Sequence, residues 1–156
     1  MQGVYERAFR GVDLPETWRF KKDPEDKGLT ERWFAEPVDD SWSSILITKA
    51  WTDQGHDYHG VAWYAVTINI PVDYQGTMPV IQFCAVDGLA DVFLDGVKIG
   101  EQKQSLDTMW DQPFQVPLPA DLDFRVAHCL RVRVKKDSCQ AGIWKMVTIR
   151  PQKLQE

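Results

Sequence analysis

Residues 61–70, VAWYAVTINI, alternate: Ala62, Tyr64, Val66, Ile68 and Ile70 form one apolar face, while Trp63, Thr67 and Asn69 look the other way. Successive side chains of a strand point to opposite faces, so this period of two predicts a half-buried strand. The pattern recurs in MPVIQFCAV (78–86), ADVFL (90–94), FQVPL (114–118), HCLRVRV (128–134) and KMVTI (145–149), and more weakly in SILIT (44–48) and TWRF (17–20). About eight short antiparallel strands with Gly, Pro and Asp between them predict an all-β sandwich. Only 23–34, DPEDKGLTERWF, carries a helix signal, with Asp23 as N-cap, Pro24 at the first helical position and Gly28 limiting its length.

A chain of 156 residues reads most simply as one domain, 1–156. It falls well short of the roughly 250 residues that a (β/α)₈ barrel needs, so any catalysis requiring a barrel lies outside it. With 18 basic and 23 acidic residues the net charge is -5, and Lys and Arg never run beyond two in a row. That balance argues against a surface that tracks the phosphates of a nucleic acid. Its apolar runs are far below the ~20 residues that span a bilayer, which argues against a membrane partner and for a soluble chain. The opening MQGVYERAFR has no signal-peptide core, but a signal trimmed from a longer precursor would favour an extracytoplasmic location, so the compartment stays open. Cys84, Cys129 and Cys139 cannot all pair within one chain. Cys84 and Cys129, inside predicted strands, read as small buried hydrophobes.

Aspartates and glycines crowd the stretch VDGLADVFLDGVKIG (86–100). Asp95-Gly96 separates VFL from VKI by two residues, and a type I′ hairpin needs positive φ at both, which Asp and Gly tolerate. Asp87-Gly88 follows a strand in the same way and reads as a second turn.

The outlier in composition is aromatic: 7 Trp, 4 Tyr and 7 Phe. Some must fill the core, but a site for a neutral sugar also combines a flat aromatic platform with fixed carboxylates or amides. Trp51, Asp53, His56, Asp57, Tyr58 and His59 bring that mixture into one predicted loop, and Trp110, between Asp107 and Asp111, offers a second platform. Trp51 and Trp110 read either as plugs at the sandwich ends or as stacking surfaces, whereas Trp18, Trp42, Trp63 and Trp144 read as core or interface packing. His56-x-x-His59 with Asp53, Asp57 and His128 fits no strong transition-metal template. No carboxylate pair is singled out for glycoside hydrolysis, and Ser-nucleophile and P-loop signatures are absent, so no catalytic residue is assigned.

Taken in order, several elements resemble the N-terminal sugar-binding domain of glycoside hydrolase family 2, the β-galactosidase, β-glucuronidase and β-mannosidase family. They are Trp18-x-Phe20-x-x-Asp23-Pro24-x-Asp26-x-Gly28 and Trp33; Trp42 and Trp51 around SILITKAW; Tyr58-x-Gly60-x-x-Trp63-Tyr64; Val86-Asp87-x-x-Ala90-x-Val92-x-Leu94-Asp95-Gly96-x-x-Ile99-Gly100; and Gly142-Ile143-Trp144. The resemblance runs from about 17 to 150. Asp95-Gly96 replaces the family's usual Asn-Gly, and EQKQSLDTMWDQPF after Gly100 departs from the small, Gly-rich loop usual there.

The resemblance implies a jelly-roll, galactose-binding-like sandwich packed against an immunoglobulin-like domain and a catalytic barrel that holds the acid/base and nucleophile glutamates. It also implies that the loops at 53–60 and 135–142 reach a sugar, which adds Asp57, Tyr58, His59 and Asp137 to Trp51 and Trp110 as candidate carbohydrate-binding residues. No cofactor is implied beyond a structural calcium, for which DPEDKG offers oxygens, although the same residues make an ordinary cap and turn. The expected role is a noncatalytic carbohydrate-binding or accessory module. The alternative, from another class, is a purely structural module whose exposed aromatics dock a partner domain.

Overall fold

The computed structural model describes residues 11–103 and 109–152. The opening ten residues, read above for a signal peptide, and Asp107 lie outside them. The first strands are β1 (Val12–Asp13), β2 (Thr17–Asp23), β3 (Ser43–Leu46), β4 (Gly60–Ile68), β5 (Val80–Phe83) and β6 (Val86–Asp87). There follow β7 (Leu89–Leu94), β8 (Val97–Gln102), β9 (Phe114–Pro117), β10 (His128–Lys136), β11 (Gly142–Ile143) and β12 (Val147–Arg150). The larger antiparallel sheet is ordered β3-β2-β4-β10-β7-β8, the smaller β1-β12-β5-β9, and β6 pairs with β11 alone. Trp18, Phe20, Tyr64 and Val132 of the larger sheet share one buried cluster with Ile81, Phe83, Val116 and Ile149 of the smaller. The all-β sandwich expected from period-two alternation is therefore present.

The outer face of β4 is not solvated. Val61, Trp63 and Ala65, with Phe93 of β7, form a second apolar cluster covered by Trp33, Trp42, Phe34 and Val38 from the segment between β2 and β3. Phe34 stacks on Phe93 with centroids 4.9 Å apart. No helix forms over 23–34; the segment runs in turns. Asp23 still works as a cap, its carboxylate accepting the N–H groups of Lys27 and Gly28 at 2.8 Å each, but it also accepts Trp63 Nε1 at 3.0 Å and so ties the strap to the sheet. Arg32, at φ 61°, turns the chain where Trp33 and Phe34 must both reach the sheet. Tertiary burial of two aromatic rings has overridden a weak local helix signal.

The hairpin joining β7 and β8 is as the sequence predicts: Leu94 pairs with Val97, and Asp95 and Gly96 have φ of 50° and 84°. Asp87-Gly88 is different. Asp87 pairs with Gly142 in the short β6/β11 ladder, and Gly88 is a bend through which the chain passes from that ladder into the larger sheet. The predicted strand over 78–86 is broken between β5 and β6. Cys129 also departs from expectation. It alternates with inward-facing Leu130 on the outer side of β10 and is exposed, while Cys84, at the break after β5, is half-buried; both are free thiols, as is Cys139.

Candidate functional site

The carboxylates of 86–100 all have structural partners. Asp91 meets Lys98, Lys103 and Arg133 at 2.9, 2.9 and 3.2 Å, and although burial works against its charge, the two lysines hold its carboxyl below the usual range. Asp87 pairs with Lys136, and Asp95 bonds to His128. Asp26 pairs with Arg133 at 2.7 Å, and the Asp23 carboxylate is filled by its three N–H donors. Among the described residues no three of His, Cys, Asp and Glu gather where a metal could sit.

The two loops singled out by the sequence meet at one end of the sandwich. A short 3₁₀ turn, Trp51–Gln54, follows β3, and its Trp51 N–H donates to Ala141 O at 2.8 Å. Thr52 Oγ1 donates to Gln140 Oε1 at 3.1 Å, Gln140 Nε2 donates to Asp53 Oδ1 at 3.2 Å, and His59 Nε2 donates to Cys139 O at 2.7 Å. The β6/β11 ladder completes the arrangement by setting Asp87 opposite Gly142, two residues from Trp144. Lys136 Nζ donates both to the Asp87 carboxylate and to Gln140 O.

Between these elements opens a cavity of about 270 Å³ lined by Trp110, Trp144, Asp53, Asp87, Gln140 and Lys49, among others. Trp110 and Trp144 stack with centroids 5.9 Å apart and planes 25° from parallel, fixed by Trp144 Nε1 donating to Trp110 O at 2.8 Å. Trp110 is 45% exposed. The volume lies just under the ~300–1,000 Å³ of ordinary small-ligand pockets, room for about one sugar ring. Aromatic rings sharing a cavity with carboxylates and an amide suit a ligand with one apolar face and many hydroxyls.

Of the six residues expected to bind carbohydrate, only Trp110 lines this cavity. Trp51 is fully buried: its ring packs on Phe20 at 5.6 Å and Tyr58 at 6.0 Å, and its Nε1 donates to Tyr58 O. It plugs the sandwich end and offers no face to a ligand, which removes it as a stacking platform. Tyr58 is half-buried against that ring with its hydroxyl donating to Val61 O at 2.6 Å. Asp57, His59 and Asp137 are exposed on the same two loops but outside the cavity wall. His56 leans on Phe20 at 5.0 Å, and burial, then the Lys22 charge, lowers its pKa. Sequence reasoning missed Asp87, Gln140 and Lys49 and assigned Trp144 to packing. The one local clue was Asp53, already in the aromatic and acidic mixture around Trp51.

No family model matches the chain. Over 96 residues it is 27% identical to a β-glucuronidase of Paenibacillus borealis, covering 58% of this chain and 16% of that protein. A β-glucuronidase of Formosa agariphila is 27% identical over 84 residues, 54% of this chain and 8% of that protein. Among solved structures, Lactobacillus rhamnosus β-glucuronidase superposes with a TM-score of 0.79 at 17% identity, covering 90% of this chain and 28% of the other. A β-glucuronidase from an uncultured Clostridium species gives 0.77 at 21% identity with the same coverage. The chain resembles the N-terminal sandwich of family 2 β-glucuronidases. This glucuronidase-like sandwich spans well under a third of the proteins it matches. The family's implied fold is thus present, and the cavity sits at the end of it where the 135–142 loop meets the Trp51–Gln54 turn.

Proposed function

We propose that this chain is a noncatalytic carbohydrate-recognition or accessory module of a glycosidase, holding a single sugar ring at the sandwich end while a catalytic barrel, not contained here, carries the chemistry. The observation that supports this reading most is the cavity itself, lined by the stacked Trp110 and Trp144 together with Asp53, Asp87 and Gln140. The relatives are β-glucuronidases, so a β-glycoside is the natural ligand class. An open site gains little from a small ligand, giving an expected dissociation constant of about 0.1 to 10 mM.

A second reading has its own support: two stacked tryptophans also form a continuous aromatic patch of the kind that docks an immunoglobulin-like or barrel domain. Calorimetric titration with a panel of mono- and oligosaccharides separates the two. Saccharide binding that Trp110→Ala removes while leaving the fold intact supports recognition. Absence of any saccharide binding at millimolar concentration makes docking the better account.

A further inference from the structure

We infer that Asp87 is the anchor of this cavity and that the site takes uncharged sugar rings in preference to uronic acids. The inference rests on the sugar-binding reading above and goes beyond it by naming the ligand's charge class and the residue that sets it. Asp87 is only 8% exposed and is one of the residues that line the cavity. One carboxylate oxygen, Oδ1, accepts from Lys136 Nζ; the other, Oδ2, has no hydrogen-bond partner among the described residues. A carboxylate this buried needs a counter-charge, and Lys136, itself only 11% exposed at its side chain, supplies it.

Lys136 also donates to Gln140 O at 3.1 Å, so it is committed to two protein acceptors beneath the cavity. The buried pair is therefore neutral in sum, and Oδ2 is the carboxylate oxygen left for a ligand donor. Such an oxygen accepts a hydroxyl proton in a short, charge-assisted hydrogen bond, about twice as strong as a neutral one. Asp53, its Oδ1 taken by Gln140, is a second carboxylate among the lining residues. A sugar carboxylate brought into this space meets Asp53, the already paired Asp87 and the exposed ammonium of Lys49. Among the described residues no arginine lines the cavity to grip a carboxylate with two parallel N–H bonds. Hydroxyl donors fit these acceptors, whereas a sugar carboxylate, which donates nothing at neutral pH, is left with Lys49, since Lys136 and the Gln140 amide are already committed to protein acceptors.

The test is calorimetric titration of the intact chain at neutral pH with methyl β-glucoside, β-galactoside and β-mannoside, against methyl β-glucuronide. At least one neutral glycoside is expected to bind about tenfold more tightly than the glucuronide, equivalent to ~1.4 kcal/mol. Asp87→Asn is expected to lose about tenfold of the neutral affinity. Because that change strands Lys136, the double variant Asp87→Asn/Lys136→Met, which removes both charges, is measured beside it, along with Asp53→Asn on the exposed turn, expected to narrow the preference against glucuronide. Glucuronide binding as tightly as every neutral glycoside overturns the inference while leaving the sugar site standing. So does unchanged neutral affinity in folded Asp87 variants. Absence of binding by all four glycosides removes the sugar reading and this inference with it.

Discussion

Asp95 Oδ2 lies 2.6 Å from His128 Nδ1, while Asp95 Oδ1 accepts the Cys129 N–H at 2.8 Å. The other imidazole nitrogen, Nε2, lies 2.6 Å from Asp123 O, so both ring nitrogens face acceptors and only the doubly protonated ring satisfies both. Burial opposes that charge, but the Asp123 carbonyl and the Asp95 carboxylate outweigh it and raise the His128 pKa above 6.5. A hairpin-turn residue thus also clamps the start of β10.

The first prediction follows. With the folded pKa raised above the unfolded one, the His128 contribution is complete below about pH 6.5 and is lost as pH rises through the folded value. Asp95→Asn keeps positive φ and an acceptor for the Cys129 N–H but loses the charge partner of His128, so it costs about 1 kcal/mol at pH 5.5 and less at pH 8. Asp95→Val loses the turn as well and costs more at both. Urea unfolding midpoints at the two pH values check this; equal effects of Asn and Val contradict it.

Trp51 and Trp110 are expected to separate cleanly. Trp51→Ala empties a buried site and costs about 3–5 kcal/mol, whereas Trp110→Ala, at a half-exposed position, costs about 1 kcal/mol or less. Thermal unfolding of both variants decides the matter, and similar losses would contradict the assignment of Trp51 to the core.

Gly142 has φ of 101°, and a Cβ there would meet the Tyr64 hydroxyl and, at 2.7 Å, the Trp51 ring. Tyr64 cannot move away freely, since its hydroxyl accepts the Ile143 N–H at 3.2 Å and burial pushes its pKa up. Gly142→Ala is expected to cost about 2 kcal/mol or more and to weaken any ligand affinity by displacing Gln140 and Trp144 together. Denaturant titration checks the stability; a change under 0.5 kcal/mol would contradict the packing around β11.

The Asp95-Gly96 hairpin was legible because its requirement is local: two residues, two positive φ values, flanking strands. Asp87-Gly88 carries the same two letters, but its fate is decided by Gly142 and Ile143, more than fifty positions away, whose pairing with Asp87 and Val86 makes it a crossing between sheets. Trp63 read as core or interface packing and is buried, but alternation shows two faces of β4 without showing that the 24–42 strap is what covers the second. The cavity was hidden for the same reason. Trp110 and Trp144 lie 34 residues apart, and nothing near either one announces the stack.

The most direct measurement is a ¹H–¹⁵N map of the seven tryptophan indole N–H signals during titration with a neutral methyl β-glycoside. Saturable shifts at Trp110 and Trp144, with Trp18, Trp51 and Trp63 unmoved and with loss of the effect in Trp110→Ala, are the result predicted here. Shifts confined to Trp33 and Trp42 on the outer sheet face, or no shift at any indole at millimolar glycoside, would contradict the account.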